Sequence, residues 1–152
     1  MSTNTLLLLL LTETFDTPSD ATYAYSDEGA SFFATLASLT AEEASKSLVS
    51  GGTTIAGHAD HVRFFTEKVF RRICGHLEPI DWSGAWLVRE VSADEWTALQ
   101  QRGRSVYEEL KTYLETHADL EPINERRAMA IVVHAAYHVG AIRQMMQSVQ
   151  TL

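Results

Sequence analysis

Cysteine is almost absent from this 152-residue chain: only Cys74 is present, so no internal disulfide can form. That usage fits a reducing, cytoplasmic setting. The lone thiol reads as buried or inert rather than catalytic. A single domain over residues 1–152 is long enough to bury a core without a disulfide or a structural metal. Positive charge is also scarce, with 12 Lys and Arg against 20 Asp and Glu and a net charge of −8. No basic run gathers what there is, which removes the phosphate-neutralising term that DNA or RNA binding depends on. No hydrophobic run approaches the roughly 20 residues needed to cross a bilayer. The leucine run, Leu6 to Leu11, is flanked by neutral Ser2 to Thr5 and by Thr12, Glu13 and Asp16, which are not the flanks of a signal peptide. It reads as part of a heavily buried first helix. Its leucines cover more than one face, so a second interface such as a homodimer contact is compatible with them.

Proline is rare too, and Pro18, Pro79 and Pro122 all fall between periodic segments, while no stretch shows convincing β-alternation. Both shortages favour helices. SFFATLASL places Phe33, Leu36 and Leu39 on one helical stripe, and Thr40 to Glu43 reads as a capping box. A long helix is expected from Thr53 or Thr54 to about Gly75, its inner face made by Ile55, His58, Val62, Phe65, Val69 and Ile73. A long tryptophan-bearing connection follows, with Trp82 and Trp86 expected to pin it to the helices. Ser92 to Glu95 is a second capping box, opening a helix to about His117 whose face carries Trp96, Leu99, Gly103, Val106, Leu110, Tyr113 and Leu114. Asn124 is expected to cap a last helix reaching about Gln147. Three long amphipathic helices and a broken N-terminal one predict an all-α four-helix bundle.

The chemistry sits in HAAYH, residues 134–138, within an otherwise apolar segment. Residues four apart on a helix share a face, so His134 and His138 can converge on one point. Two imidazoles can reach one divalent ion at about 2.0–2.1 Å, but a useful site needs a further protein ligand. GHADHVRFF offers His58 and His61 on a helix expected to face the last one. Periodicity puts His58 nearer the centre of the apolar face and His61 about 60° to one side, and both are candidates. A single histidine here would read as a satisfied core residue; two pairs in apolar helices point to a metal.

Three segments carry a family resemblance: TIAGHADHV at 54–62, DWSGAW at 81–86 ahead of ADEW, and HAAYHVGAIRQ at 134–144. Together they resemble the DinB-like superfamily, including its YfiT and mycothiol- or bacillithiol-dependent branches, over about residues 50–148. The resemblance implies a four-helix bundle with a long loop between the second and third bundle helices. It further implies a divalent metal, nickel or zinc ahead of iron or manganese, held by one histidine of the second bundle helix and an H-x-x-x-H pair of the fourth. By position the pair falls on His134 and His138, and the family's spacing from Thr54 gives His61 as the first ligand, with His58 the runner-up.

Three neutral ligands leave coordination positions open, the pattern of a catalytic rather than a closed structural site. The expected function is therefore that of a metal-dependent enzyme acting on a small molecule. The resemblance implies thiol-dependent S-transfer, with a low-molecular-weight thiol as partner, or hydrolysis, and a homodimeric assembly. The alternative is a non-catalytic, stress-associated metal-binding protein in which the ion stiffens the bundle. No general base stands out. Asp60 and Glu67 share the metal-bearing helix and read as solvated, while Tyr137 and Arg143 read as structural neighbours.

Overall fold

Short hydroxyl side chains start most of the helices. In the computed structural model, which describes residues 2–151, Ser2, Ser31, Thr40, Thr54 and Ser92 each accept a hydrogen bond from a backbone N–H of the first turn. Each thereby satisfies one of the donors that a helix start leaves without an intrahelical partner. The helices so opened are α1 (Thr3–Phe15), α2 (Phe32–Ala37), α3 (Ala41–Ser45), α4 (Ile55–Ile73) and α5 (Ala93–Thr116). Both expected capping boxes form, Thr40 with Glu43 and Ser92 with Glu95. The last helix, α6 (Pro122–Val149), starts differently. Its N-cap is Glu121, without a side-chain cap, rather than Asn124. Pro122 lacks an N–H and has its φ fixed for the first helical position, so it begins the helix two residues before the asparagine. The Asn124 side-chain Oδ1 accepts instead from Arg127 Nη1 at 2.9 Å.

No strand forms among the described residues; one isolated bridge joins Ser47 and Thr54. The four longest helices close a ring in which α1 and α4 each pack against both α5 and α6. These are the contacts of a four-helix bundle, and α4 against α6 is its most extensive pair. The small helices α2 and α3 lie in the connection between α1 and α4 and cover the bundle from outside. Gly75, at φ 93°, turns the chain away from the end of α4, and the 19 residues 74–92 separate α4 from α5. That is the long loop expected between the second and third bundle helices.

The core runs along the bundle axis through Leu11, Leu36, Ile55, Val62, Leu110, Leu114, Ile131 and Ile142, all essentially inaccessible. Two expectations about it need correction. The leucine run is not heavily buried: Leu7 and Leu11 are, while Leu6 and Leu9 keep 48 % and 52 % of their surface exposed. A bundle helix turns only one stripe inward, and six consecutive leucines wrap past that stripe. On α5, Tyr107 is fully buried whereas Val106 and Tyr113 sit at the boundary. The Tyr107 ring stacks on Phe15 at 5.4 Å and meets Phe33 edge-on, an aromatic cluster that draws this face of the helix round by one residue.

The loop between α4 and α5 folds back over the start of α4. The Thr54 hydroxyl donates to Arg89 O at 2.7 Å, and Val91 N–H donates to Ser45 Oγ at 3.0 Å. Gly57 allows the approach, since a Cβ there would stand 2.8 Å from Val88 O. The two tryptophans lie on the bundle surface, 47 % and 42 % exposed, rather than under it. Trp82 rests against Phe64 and Phe65, and Trp86 against His61.

Candidate metal centre

His61 lies on the side of α4 that meets both α6 and the returning loop, and keeps 9 % of its surface accessible. Its Nδ1 is 3.0 Å from Ala85 O. A carbonyl only accepts, so Nδ1 carries the proton and Nε2 presents its lone pair. That Nε2 stands 3.1 Å from His134 Nε2 of α6. Two nitrogens bound to one tetrahedral ion at 2.0–2.1 Å lie about 3.3 Å apart, so this pair is already near that spacing. His138, one turn further along α6, completes the set. One nitrogen from each of His61, His134 and His138 falls within 4.8 Å of the others, a grouping that can hold a metal ion.

Aromatic rings hold the imidazoles in place. His61 stacks on Trp86 with centroids 4.1 Å apart, and His134 stacks on Phe65 at 3.7 Å. Tyr137, 72 % exposed, meets His138 edge-on at 4.9 Å. Burial disfavours the charged imidazolium, and the neighbouring histidine charges act the same way. Burial, then His61, lower the His134 pKa to about 4. Burial, then His134, His58 and His61, lower that of His138 to about 3. Both are therefore neutral at pH 7, the form in which an imidazole binds a cation. His134 Nδ1 is buried without a hydrogen-bond partner, a further sign that this ring is placed for something other than fold stability. On spacing and donor type the three residues fit a divalent ion, and His134 and His138 also fit on charge state.

The runner-up, His58, is half-buried and lies outside that three-nitrogen grouping. Its Nδ1 reaches His138 Nδ1 at 2.9 Å, and its Nε2 reaches the Thr53 hydroxyl at 3.1 Å. Periodicity put His58 nearer the centre of the apolar face, yet His58 is only half-buried while His61 is buried where the loop meets α4. The carboxylates behave differently from expectation. Asp60 is buried, not solvated, and pairs with Arg63 Nε at 2.8 Å; Arg63 Nη1 also holds Glu67 at 2.7 Å. Arg143 hydrogen-bonds to Thr35 Oγ1 at 3.4 Å. Cys74 is exposed rather than buried, and partial desolvation and the Glu109 charge raise its pKa, which keeps the thiol protonated and unreactive. Ala85 was missed, because a backbone carbonyl can come from any residue type.

Fold and site together define a class: a helical protein whose second and last bundle helices turn three imidazoles toward one point. The chain belongs to the DinB superfamily, whose sequence model matches residues 24–141 and so spans all three histidines. The match begins before α2, taking in more of the N-terminal third than the quoted motifs cover. No curated protein and no solved structure matches the chain.

Proposed function

We propose that this protein binds one divalent metal ion, nickel or zinc ahead of iron or manganese, through His61, His134 and His138. It uses the ion as an enzyme acting on a small molecule, by S-transfer from a low-molecular-weight thiol or by hydrolysis. The observation that carries the reading is the convergence of three imidazole nitrogens within 4.8 Å. When bound, the ion supplies Lewis-acid chemistry with coordination positions left over for a small molecule. The chain's own residues orient and enclose. Ala85 O fixes the His61 tautomer, Phe65 fixes the His134 ring plane, and Trp86 with Tyr137 offers apolar surface beside the histidines. The exposed Leu6 and Leu9 support a homodimer as the assembly, which light scattering of the purified protein would test.

The deciding experiment is metal analysis of protein purified without a histidine tag. One ion per chain is expected, lost in H134A and H138A; an unaltered metal content in both variants would remove the proposal. Thiol-transfer and hydrolysis assays on the loaded protein then separate the two reaction types. One observation favours a second, non-catalytic reading: His58 stands next to His138 and could close the coordination as a fourth ligand. In that case the ion would stiffen the bundle and the assays would be silent.

A further inference from the structure

We infer that His58 is a positioning residue for the site: it accepts the His138 Nδ1 proton and so presents His138 Nε2 to the ion, rather than binding the ion itself. This rests on the reading of the three histidines as a metal site. The two Nδ1 atoms are 2.9 Å apart, so one of them carries the shared proton. If His58 carried it, the proton of neutral His138 would sit on Nε2. Its only lone pair, on Nδ1, would then be taken by His58, and no nitrogen would remain for an ion. If His138 carries it, Nε2 is free, His58 Nδ1 accepts, and His58 Nε2–H donates to the Thr53 hydroxyl 3.1 Å away. Only the second order is compatible with His138 as a ligand, and it satisfies both nitrogens of His58.

The same device acts on His61, whose Nδ1–H is held by Ala85 O. Both ligands so treated present Nε2, and the His61 and His134 Nε2 atoms already face each other. Neighbouring groups hold His58 in this position. Trp86 meets its ring edge-on at 5.2 Å, and its two nitrogens are committed to His138 and Thr53. Outer partners of this kind fix ring orientation and raise ligand basicity.

The test uses the full chain with 15N-labelled histidine, zinc as the probe, and long-range proton–nitrogen correlation spectra that read each ring's tautomer. In the zinc-loaded protein we expect His138 bound through Nε2 with its proton on Nδ1, and His58 unbound with its proton on Nε2. Zinc affinity should fall about 10–100-fold in H58A while one ion per chain is retained. H58N, whose amide oxygen can stand in for Nδ1 as acceptor, should recover most of that loss. A zinc-bound His58, or a change of cobalt(II) coordination number in H58A, would make it a fourth ligand and overturn the inference. Unchanged affinity in H58A would overturn it as well. If the wild-type chain binds no zinc, the site reading fails separately. The zinc-free spectrum then decides: a proton on His138 Nδ1 upholds the pairing, and one on Nε2 defeats it.

Discussion

Burial keeps His134 and His138 uncharged near neutral pH, and this ties the three-histidine cluster to fold stability. Their pKa values in the fold, about 4 and about 3, lie below the ordinary 6.5 that the unfolded chain restores. Between those limits the unfolded state binds more protons than the native one, so acid favours unfolding. The contribution is complete above about pH 6.5 and is lost as pH falls toward 4 and 3. Metal-free protein should therefore show a falling urea midpoint between pH 7 and pH 5, above the range where carboxylates titrate. In the H134F/H138L double variant the slope over that interval should flatten; an identical slope would assign the acid sensitivity elsewhere. At this scale the H-x-x-x-H pair was legible as two imidazoles sharing one helix face, because residues four apart lie one turn apart, but the spacing alone did not say what they hold. The choice between His58 and His61 was not legible from periodicity, which finds the middle of a buried stripe and is blind to a loop folded over its edge.

Two elements owe their positions to single side chains. Gly57 lets the loop carrying Ala85 and Trp86 lie on α4, and a Cβ there would meet Val88 O at 2.8 Å. Gly57→Ala should gain up to about 1 kcal/mol of helix propensity but incur about 1–3 kcal/mol of overpacking. Net stability is thus a poor readout, and zinc affinity is the better one. Moving the loop removes the His61–Ala85 bond, so affinity should drop about 10–100-fold; an unchanged Kd would show that the loop's position does not matter to the ligands. Glu13 does a similar service for the segment after α1. Its carboxylate accepts from Ala24, Tyr25 and Ser26 N–H and from the Ser26 hydroxyl. Burial pushes its pKa up, but these four donors together outweigh that and leave it below the usual 4.5. Glu13→Gln should weaken the fold by about 1.5–3 kcal/mol at pH 7, the range for hydrogen bonds to a charged group. The gap to wild type should be full above pH 4.5 and close as acid carries the native carboxylate through its lowered pKa; chemical unfolding followed from pH 7 downward reads that closing. Neither role was visible in the sequence, since both depend on chain segments that meet only after folding. The starts of α3, α4 and α5 were visible, because Ser and Thr caps act on their own neighbours, whereas that of α6 was not, since Pro122 read as a break rather than as a first helical residue.

For the whole molecule, the ion would act as a cross-link. His61 and His134 are 73 residues apart in sequence, and they join α4 to α6 across the largest helix contact in the bundle. The apolar core is contiguous through α1, α4, α5 and α6 without them, so the metal-free chain should still fold. That distinguishes this protein from small domains whose fold needs its metal, and it follows from a chain long enough to bury a core of its own. Binding to the native state alone then adds stability by mass action, about 2.7 kcal/mol at a free zinc concentration 100 times Kd. Chelation should accordingly lower Tm while leaving the far-ultraviolet circular dichroism of the native state unchanged. The Tm difference should grow with zinc concentration in the wild type and vanish in H61A. If H61A kept the zinc-dependent rise, the link from α4 would run through another residue, and His58 would be the first to examine. If chelation unfolded the wild-type chain outright, the core would not be self-sufficient and the ion would have to be counted as part of the fold.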